Sequence, residues 1–289
     1  MAHLSERRFP PLIGQHDRPT LSQAPPPYTT SNGYDQDPFS DTPWFSSLSD
    51  PTQTAPIRFP PTLNGYFQWK FTYTFHLGPS GDDKRFAVST HTTFLRSKQT
   101  MILHTGPSDE DPTLASIEGD QSMRDRPSPI TIPRAQQPPV VEALHHATPY
   151  TRTPPTFAVD VPGPQKRSQR EQFEWRTSRG NEISELTGHS AYGWKLVRLS
   201  RTVGPGSDNR RQRALGRASD GLEVVAVLAR NVSASMTKAL KFQFLGSGLD
   251  GSMGETWEIM AIMTALQLWY YDTLSATMAT TTTAAVVST

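Results

Sequence analysis

The chain shows three hydrophobic rhythms along its length. Residues 1–62 show the first, which has no period. Polar residues are broken by prolines at 10, 11, 19, 25, 26, 27, 38, 43, 51, 56, 60 and 61, and each proline removes a backbone donor and interrupts a helix interior or a central strand. We expect a disordered arm with polyproline II character here. From Gly65 the chain alternates instead. Phe67, Trp69, Phe71, Tyr73, Phe75 and Leu77 share one face of an extended backbone, which predicts a single long strand over 66–77. Apolar runs and alternations bounded by turn residues predict further strands at 85–94, 100–104, 113–118, 130–132, 172–176, 193–199, 222–229 and 239–245, with a short one at 157–161. Prolines return between 134 and 168, and we read that stretch as an insertion or loop. Residues 201–220 read as an Arg/Gly/Ser loop.

The third rhythm is helical. In 255–275 apolar residues occur at 257, 259, 260, 262, 263, 266, 268, 269 and 270, so they cover almost the whole circumference. A helix that is apolar all round is buried on all sides. Ser252 and Glu255 have the spacing of a capping box at its start. As a membrane span it is too short: fifteen residues, 257–271, against about 20. It also carries Glu258 and Gln267. Many short strands followed by such a helix predict a mainly β (α+β) fold, a closed antiparallel barrel of about nine to twelve strands around the helix, because closure hides strand edges. The expected layout is an arm over 1–62, a barrel over 63–275 and a frayed Thr/Ala tail over 276–289.

Composition accounts for the arm. The hydrophobic fraction is 35% and there are 26 prolines in 289 residues; average chains are about 45–50% apolar with roughly half the proline. Part of the chain therefore lacks the apolar area that offsets the entropy of ordering. The net charge of +1 gives no general attraction to nucleic acid, and none is expected as a partner. No cysteine is present, which excludes disulfide scaffolds, zinc fingers, iron–sulfur clusters and cysteine nucleophiles. No apolar leader follows Met1, so a cytoplasmic protein is expected, with peripheral membrane or nuclear location as variants, and a monomer.

Several stretches carry a family resemblance: "MILHTGPSDEDPTLASIEGD" at 101–120, "FEWRTS" at 173–178, "GWKLVRL" at 193–199, and "KFQFLGSG" followed by "GETWEIMAIMTALQLW" over 241–269. Together with the strand-rich order and the C-terminal helix, they resemble the tubby C-terminal-like superfamily, which includes tubby proteins, phospholipid scramblases and LURP-one-related proteins, near uncharacterised fungal members. The resemblance implies a 12-stranded barrel around a central helix and binding of phosphoinositides by surface basic residues. The family's basic positions have no one-to-one match here. The acidic calcium-binding segment of the scramblases has no clear counterpart.

Candidate chemistry is sparse. Gly246, Gly248 and Gly251 form Gly-x-Gly-x-x-Gly between a strand and a helix. A dinucleotide site needs a further parallel strand with an acidic end, and the chain runs instead into Thr and Ala; we read a tight turn that admits the helix. The basic residues Lys166, Arg167, Arg170, Arg210, Arg211, Arg213 and Arg217 are candidates for phosphate or anionic lipid contact, against the simpler reading of solvated loop charge. Pro25, Pro26 and Tyr28 lie in a Pro-Pro-x-Tyr segment, the kind of preformed polyproline ligand that WW domains bind. Adjacent His145 and His146 point opposite ways in an extended segment, and no metal is expected. His91, Asp160 and a serine form a triad only on paper, since no nucleophile elbow accompanies them. Trp69, Trp175 and Trp194 read as packing residues. The expectation is a non-catalytic module without a cofactor, binding anionic phospholipid, or a WW-directed adaptor as the alternative. A small-ligand enzyme or carrier is the weaker third, because the helix fills the barrel.

Overall fold

A computed structural model describes residues 59–67, 74–93, 98–120, 126–146, 153–163, 167–188, 192–203, 216–230 and 238–287. Twelve strands form one antiparallel sheet: β1 (Thr62–Phe67), β2 (Thr74–Gly78), β3 (Phe86–Thr93), β4 (Lys98–His104), β5 (Thr113–Asp120), β6 (Ser128–Arg134), β7 (Gln137–Leu144), β8 (Thr156–Pro162), β9 (Ser168–Ser178), β10 (Gly193–Thr202), β11 (Leu222–Arg230) and β12 (Lys238–Phe244). The strand order is β7-β6-β5-β4-β3-β2-β1-β12-β11-β10-β9-β8. Two meanders therefore lie side by side, joined where β1 pairs with β12. Among the described residues the outer strands, β7 and β8, meet through a single bridge. His145 and Thr156 exchange both backbone hydrogen bonds, at 2.8 and 2.9 Å. The sheet is thus a nearly closed barrel.

The expected strand over 66–77 is two strands. β1 and β2 pair with Phe67 opposite Phe75 and Gly65 opposite Leu77. Partners have the same parity, so both strands turn their odd-numbered residues to one face. The alternation runs on unchanged across such a hairpin, and period two cannot reveal the turn. The residues between them, Trp69 included, lie outside the described set.

The segment read as a proline-rich insertion, 134–168, carries the short strand expected at 157–161, which is β8 (Thr156–Pro162), and also supplies β7 and the start of β9, which were not expected. A tight turn, with Gln136 at φ 57°, joins β6 to β7. Pro138 and Pro139 are tolerated because β7 is an edge strand with no partner on its far side, and Pro162 ends the other edge strand. The domain boundary also moves: Phe59 is buried, 4.8 Å from the Phe86 ring, and the Pro61 carbonyl accepts from Phe244 N–H. The barrel therefore includes residues assigned to the arm. A short outer helix, α1 (Asn181–Thr187), was not expected. It lays Ile183 and Leu186 on Val197, Val224, Val227 and Ala229, a second small core outside the sheet. β11 is consequently covered on both faces, which explains its unbroken apolar run.

The C-terminal helix, α2, spans Glu255–Val287. It extends through the Thr/Ala segment expected to fray, since elongating a formed helix needs no new nucleus and alanine is the best helix former. Its side chains from Trp257 to Trp269 are buried. Trp257 sits between Phe173 of β9 and Phe244 of β12, each 5.7 Å away. Trp269 lies 5.1 Å from Phe75 of β2. The Trp175 indole of β9 donates to Thr264 Oγ1 at 3.0 Å, and the Trp269 indole donates to the Ala239 carbonyl at 3.2 Å. The helix thus meets the sheet on opposite sides, and each large apolar side chain buried there contributes about 1.5–3 kcal/mol. Among the described residues no helix is long and apolar enough to cross a membrane.

The turn into α2 differs from the expected capping box. Ser252 donates its backbone N–H to Asp250 Oδ1 at 2.8 Å, and its hydroxyl also serves Asp250. The helix begins at Glu255, directly after Gly254 at φ +81°.

Candidate functional site

The helix enters the barrel at one end and leaves it at the other, and the two ends differ chemically. At the entry end β9, β10 and β11 turn polar side chains inward. Arg198 grips Glu171 with two hydrogen bonds of 2.5 Å. Ser200 donates to the same carboxylate. Arg198 also reaches Ser247 Oγ at 3.2 Å, and Ser247 gives its backbone N–H (2.8 Å) and hydroxyl (3.0 Å) to Glu223. Glu171 and Glu223 are buried. Burial alone pushes the Glu171 carboxyl up, but the Arg198 guanidinium and the Ser200 hydroxyl outweigh it and hold its pKa below the ordinary value. Every oxygen of this cluster is engaged within the fold, so the cluster ties β9, β10 and β11 to the turn at Ser247.

The glycines of the nucleotide-like motif belong to this turn. A Cβ on Gly248 would stand 2.4 Å from the Val225 carbonyl oxygen and 2.9 Å from the Trp257 ring, and Gly246 has φ +51° with Glu223 close by. The strand before the motif is antiparallel to its neighbours. The glycines let the backbone pass over β11 and into the helix.

At the exit end the interior is polar and partly open. A cavity of about 150 Å³ is lined by His146, Pro155, Trp194, Leu268, Tyr271, Asp272 and Ser275. Trp194, the second residue of β10, donates its indole N–H to Asp272 Oδ2 at 2.8 Å. His146, just past β7, is hydrogen-bonded to Ser128 Oγ at 2.7 Å and lies edge-on to Tyr271, with ring centroids 5.4 Å apart. Tyr192 packs edge-on against Trp194 at 6.3 Å. Burial raises the Asp272 pKa against the opposing pull of the Trp194 indole and of more distant Arg230. Deeper in, Gln99 and Gln267 are buried with amide atoms that no protein group satisfies. Sequence reasoning missed this site. Its residues come from four separate segments, and only Trp194 and His146 had drawn attention, one as packing and one as an unsupported metal ligand. Among the described residues no three His, Cys, Asp or Glu side chains group as metal ligands.

The expected basic site is only partly visible. Lys166, Arg210, Arg211 and Arg213 lie outside the described residues, as do Pro25, Pro26 and Tyr28. Arg167 stands at the β8–β9 turn, where its carbonyl accepts from Gly163 N–H. Arg170 is occupied: it holds Glu142 with two hydrogen bonds of 2.5 Å and lies 3.8 Å from Asp160. Arg217 donates to the Val203 carbonyl at 2.7 Å. Asp160 of the paper triad is thus an outer partner of Arg170, and His91 lies exposed on β3, a strand that is no neighbour of β8 in the sheet.

A different Ser–His pair does form. Ser89 donates to His104 Nε2 at 2.8 Å, and His104 Nδ1–H donates to the Asp111 carbonyl at 2.8 Å. Both side chains are buried, beneath the turn that links β4 to β5. That turn is also held by His76 on the Pro107 carbonyl (2.9 Å) and by Thr74 on Asp109 (3.0 Å). The pair therefore fastens a loop to the outside of the barrel.

Comparison with protein-family models, with curated proteins and with solved structures finds no match for this chain.

Proposed function

We propose that this chain is a non-catalytic binding module, a rigid barrel whose outer surface engages anionic phospholipid head groups from the cytoplasmic side. The observation that carries the reading is the filled interior: α2 occupies the space where a substrate would sit, with Trp257, Met260, Met263 and Leu266 buried against strands on opposite sides. Recognition is then left to the surface and the ends. Twelve strands around a buried helix also support placing the chain near the tubby-like superfamily.

The contact residues in this reading are Arg167 with Lys166, Arg210, Arg211 and Arg213. Arg170 and Arg217 serve the fold. The test is flotation with phosphoinositide-containing liposomes at low and high salt. Salt-sensitive flotation that is lost in Arg210→Glu/Arg211→Glu/Arg213→Glu is expected; absence of flotation at low salt removes the proposal. The Pro-Pro-x-Tyr sequence favours a second, separable role for the arm as a WW-domain ligand. Unchanged recovery of a WW-domain partner by Tyr28→Ala would exclude it.

A further inference from the structure

The exit-end cavity combines features that rarely occur together without a ligand. Asp272 is the last acidic side chain on the described part of the helix, and one of its oxygens is already fixed by the Trp194 indole at 2.8 Å. Among the described residues only Oδ2 of this carboxylate receives a hydrogen bond. The surrounding walls are aromatic: Trp194, Tyr271 and His146 line the space, and Tyr192 backs Trp194 from outside. Leu268 and Pro155 complete the lining. The nearest cation acting on the carboxylate, Arg230, makes no ion pair with it and acts only at a distance.

A half-buried carboxylate beside aromatic side chains loses part of its hydration, and a cation arriving there offsets that loss. The negative faces of Trp and Tyr favour such a cation for the same reason, and Trp is the strongest of the aromatic partners. A phosphate or carboxylate ligand would meet repulsion from Asp272, and a purely apolar ligand would strip water from Oδ1 without replacing its hydrogen bonds. A cavity of about 150 Å³ is of the order that holds one benzene-sized guest. This size suits a trimethylammonium or primary ammonium head and excludes a nucleotide or a sugar chain.

We propose that the cavity formed by Trp194, Tyr271, His146 and Asp272 is a binding site for a compact organic ammonium ion, of the kind carried by choline and ethanolamine. The site lies between the barrel seam and the helix exit, and it does not depend on the basic surface residues assigned above. The same head group exists free and on phospholipid, and the two sources are separable by experiment.

The test uses the full chain. Calorimetric and tryptophan-fluorescence titrations are run with choline, with tetramethylammonium and with 3,3-dimethylbutan-1-ol, the uncharged isostere of choline. Saturable binding of the two cations and at least tenfold weaker binding of the neutral isostere are expected. Trp194→Phe should weaken the cations severalfold and Asp272→Asn at least tenfold, while Arg230→Ala should tighten them. Equal affinity for choline and its isostere, or no saturable binding of any cation to the wild-type protein, overturns the proposal, and this arm requires no variant to fold. Vesicles of phosphatidylcholine alone, without anionic lipid, separate the sources. Binding to them that free choline competes away assigns the lipid head group, and choline binding without vesicle binding assigns a soluble cation; both sustain the site. Failure of choline binding with intact phosphoinositide flotation would sink this site and leave the anionic-surface reading standing.

Discussion

Arg170 of β9 reaches over β8 to clasp Glu142 of β7, so one ion pair spans the seam at which the sheet fails to pair fully. Among the described residues β7 and β8 are joined by one bridge, at His145 and Thr156, and the Arg170–Glu142 pair supplies a second tie. The pair is half exposed on the arginine side, so Arg170→Ala should cost under about 1 kcal/mol in global stability. Its effect should be local: amide hydrogen exchange in β7 and β8 accelerates, more at low than at high salt. Uniform exchange changes across the sheet would contradict the seam role.

The entry-end cluster predicts a larger response. Arg198→Met leaves Glu171 buried without its partner and should cost about 3–5 kcal/mol near neutral pH. The pH dependence follows from the depressed pKa of Glu171. In the wild-type protein its contribution is fully present above the unfolded glutamate value of about 4.3 and is lost as pH falls through the lower folded value. In the variant burial is opposed only by the Ser200 hydroxyl and the more distant Arg201, the pKa rises, and the deficit should shrink on acidification. Thermal unfolding of both proteins between pH 3 and pH 7, in roughly unit steps that bracket that range, reads the difference; parallel profiles would refute it.

Asp272 has the opposite sign. Burial raises its pKa, with the Trp194 indole and Arg230 acting against the rise, and the nearby phenol of Tyr192 feels the same carboxylate. A raised carboxyl pKa favours the folded state below the unfolded aspartate value of about 3.9, and that advantage is lost as pH rises through the folded value. Asp272→Asn should therefore gain stability relative to wild type as pH increases through this window. The comparison is made without added cation; a constant difference across the window would count against it.

Two glycines separate steric from conformational demand. Gly248→Ala places a methyl group against the Val225 carbonyl and Trp257 and should cost about 3 kcal/mol or more. Gly188 caps α1 at φ +79° with nothing within 4 Å, so Gly188→Ala should cost only about 1 kcal/mol. Denaturant midpoints decide the ranking. Nucleotide cofactors should leave the midpoint of the wild-type protein unchanged.

Thr264 is the sole polar side chain between Ala261 and Leu266, and it receives the Trp175 indole inside the barrel. Thr264→Val keeps the shape and strands the buried N–H, which should cost about 1–3 kcal/mol. Trp175 fluorescence should shift with it; an unaltered spectrum and midpoint would place the indole elsewhere.

What the sequence revealed of the fold follows from the range of the signals. The buried helix and most strands were legible, because an all-round apolar helix and period-two runs are local patterns. The hairpin at Phe67 and Phe75 was hidden because its register preserves parity. β7 was hidden because Pro138 and Pro139 argue against a strand unless it is known to lie at an edge, and edge position is a property of the whole sheet. The exit-end cavity was hidden more deeply. Tyr271 and Asp272 read as the end of a helix, and only the closed sheet brings Trp194 and His146 to them.

The strand order also bears on when the protein can fold. The seam falls in the middle of the chain, between β7 and β8, whereas the two meanders are joined by β1 and β12. A chain emerging from its N-terminus can form the β1–β7 meander, yet that half-sheet has no apolar partner until β12 and the helix have appeared. Residues 238–271 therefore act as a late keystone. Nascent chains stopped short of Lys238 should remain protease-sensitive and chaperone-bound, and non-local closure of this kind predicts slow, cooperative folding of the completed chain.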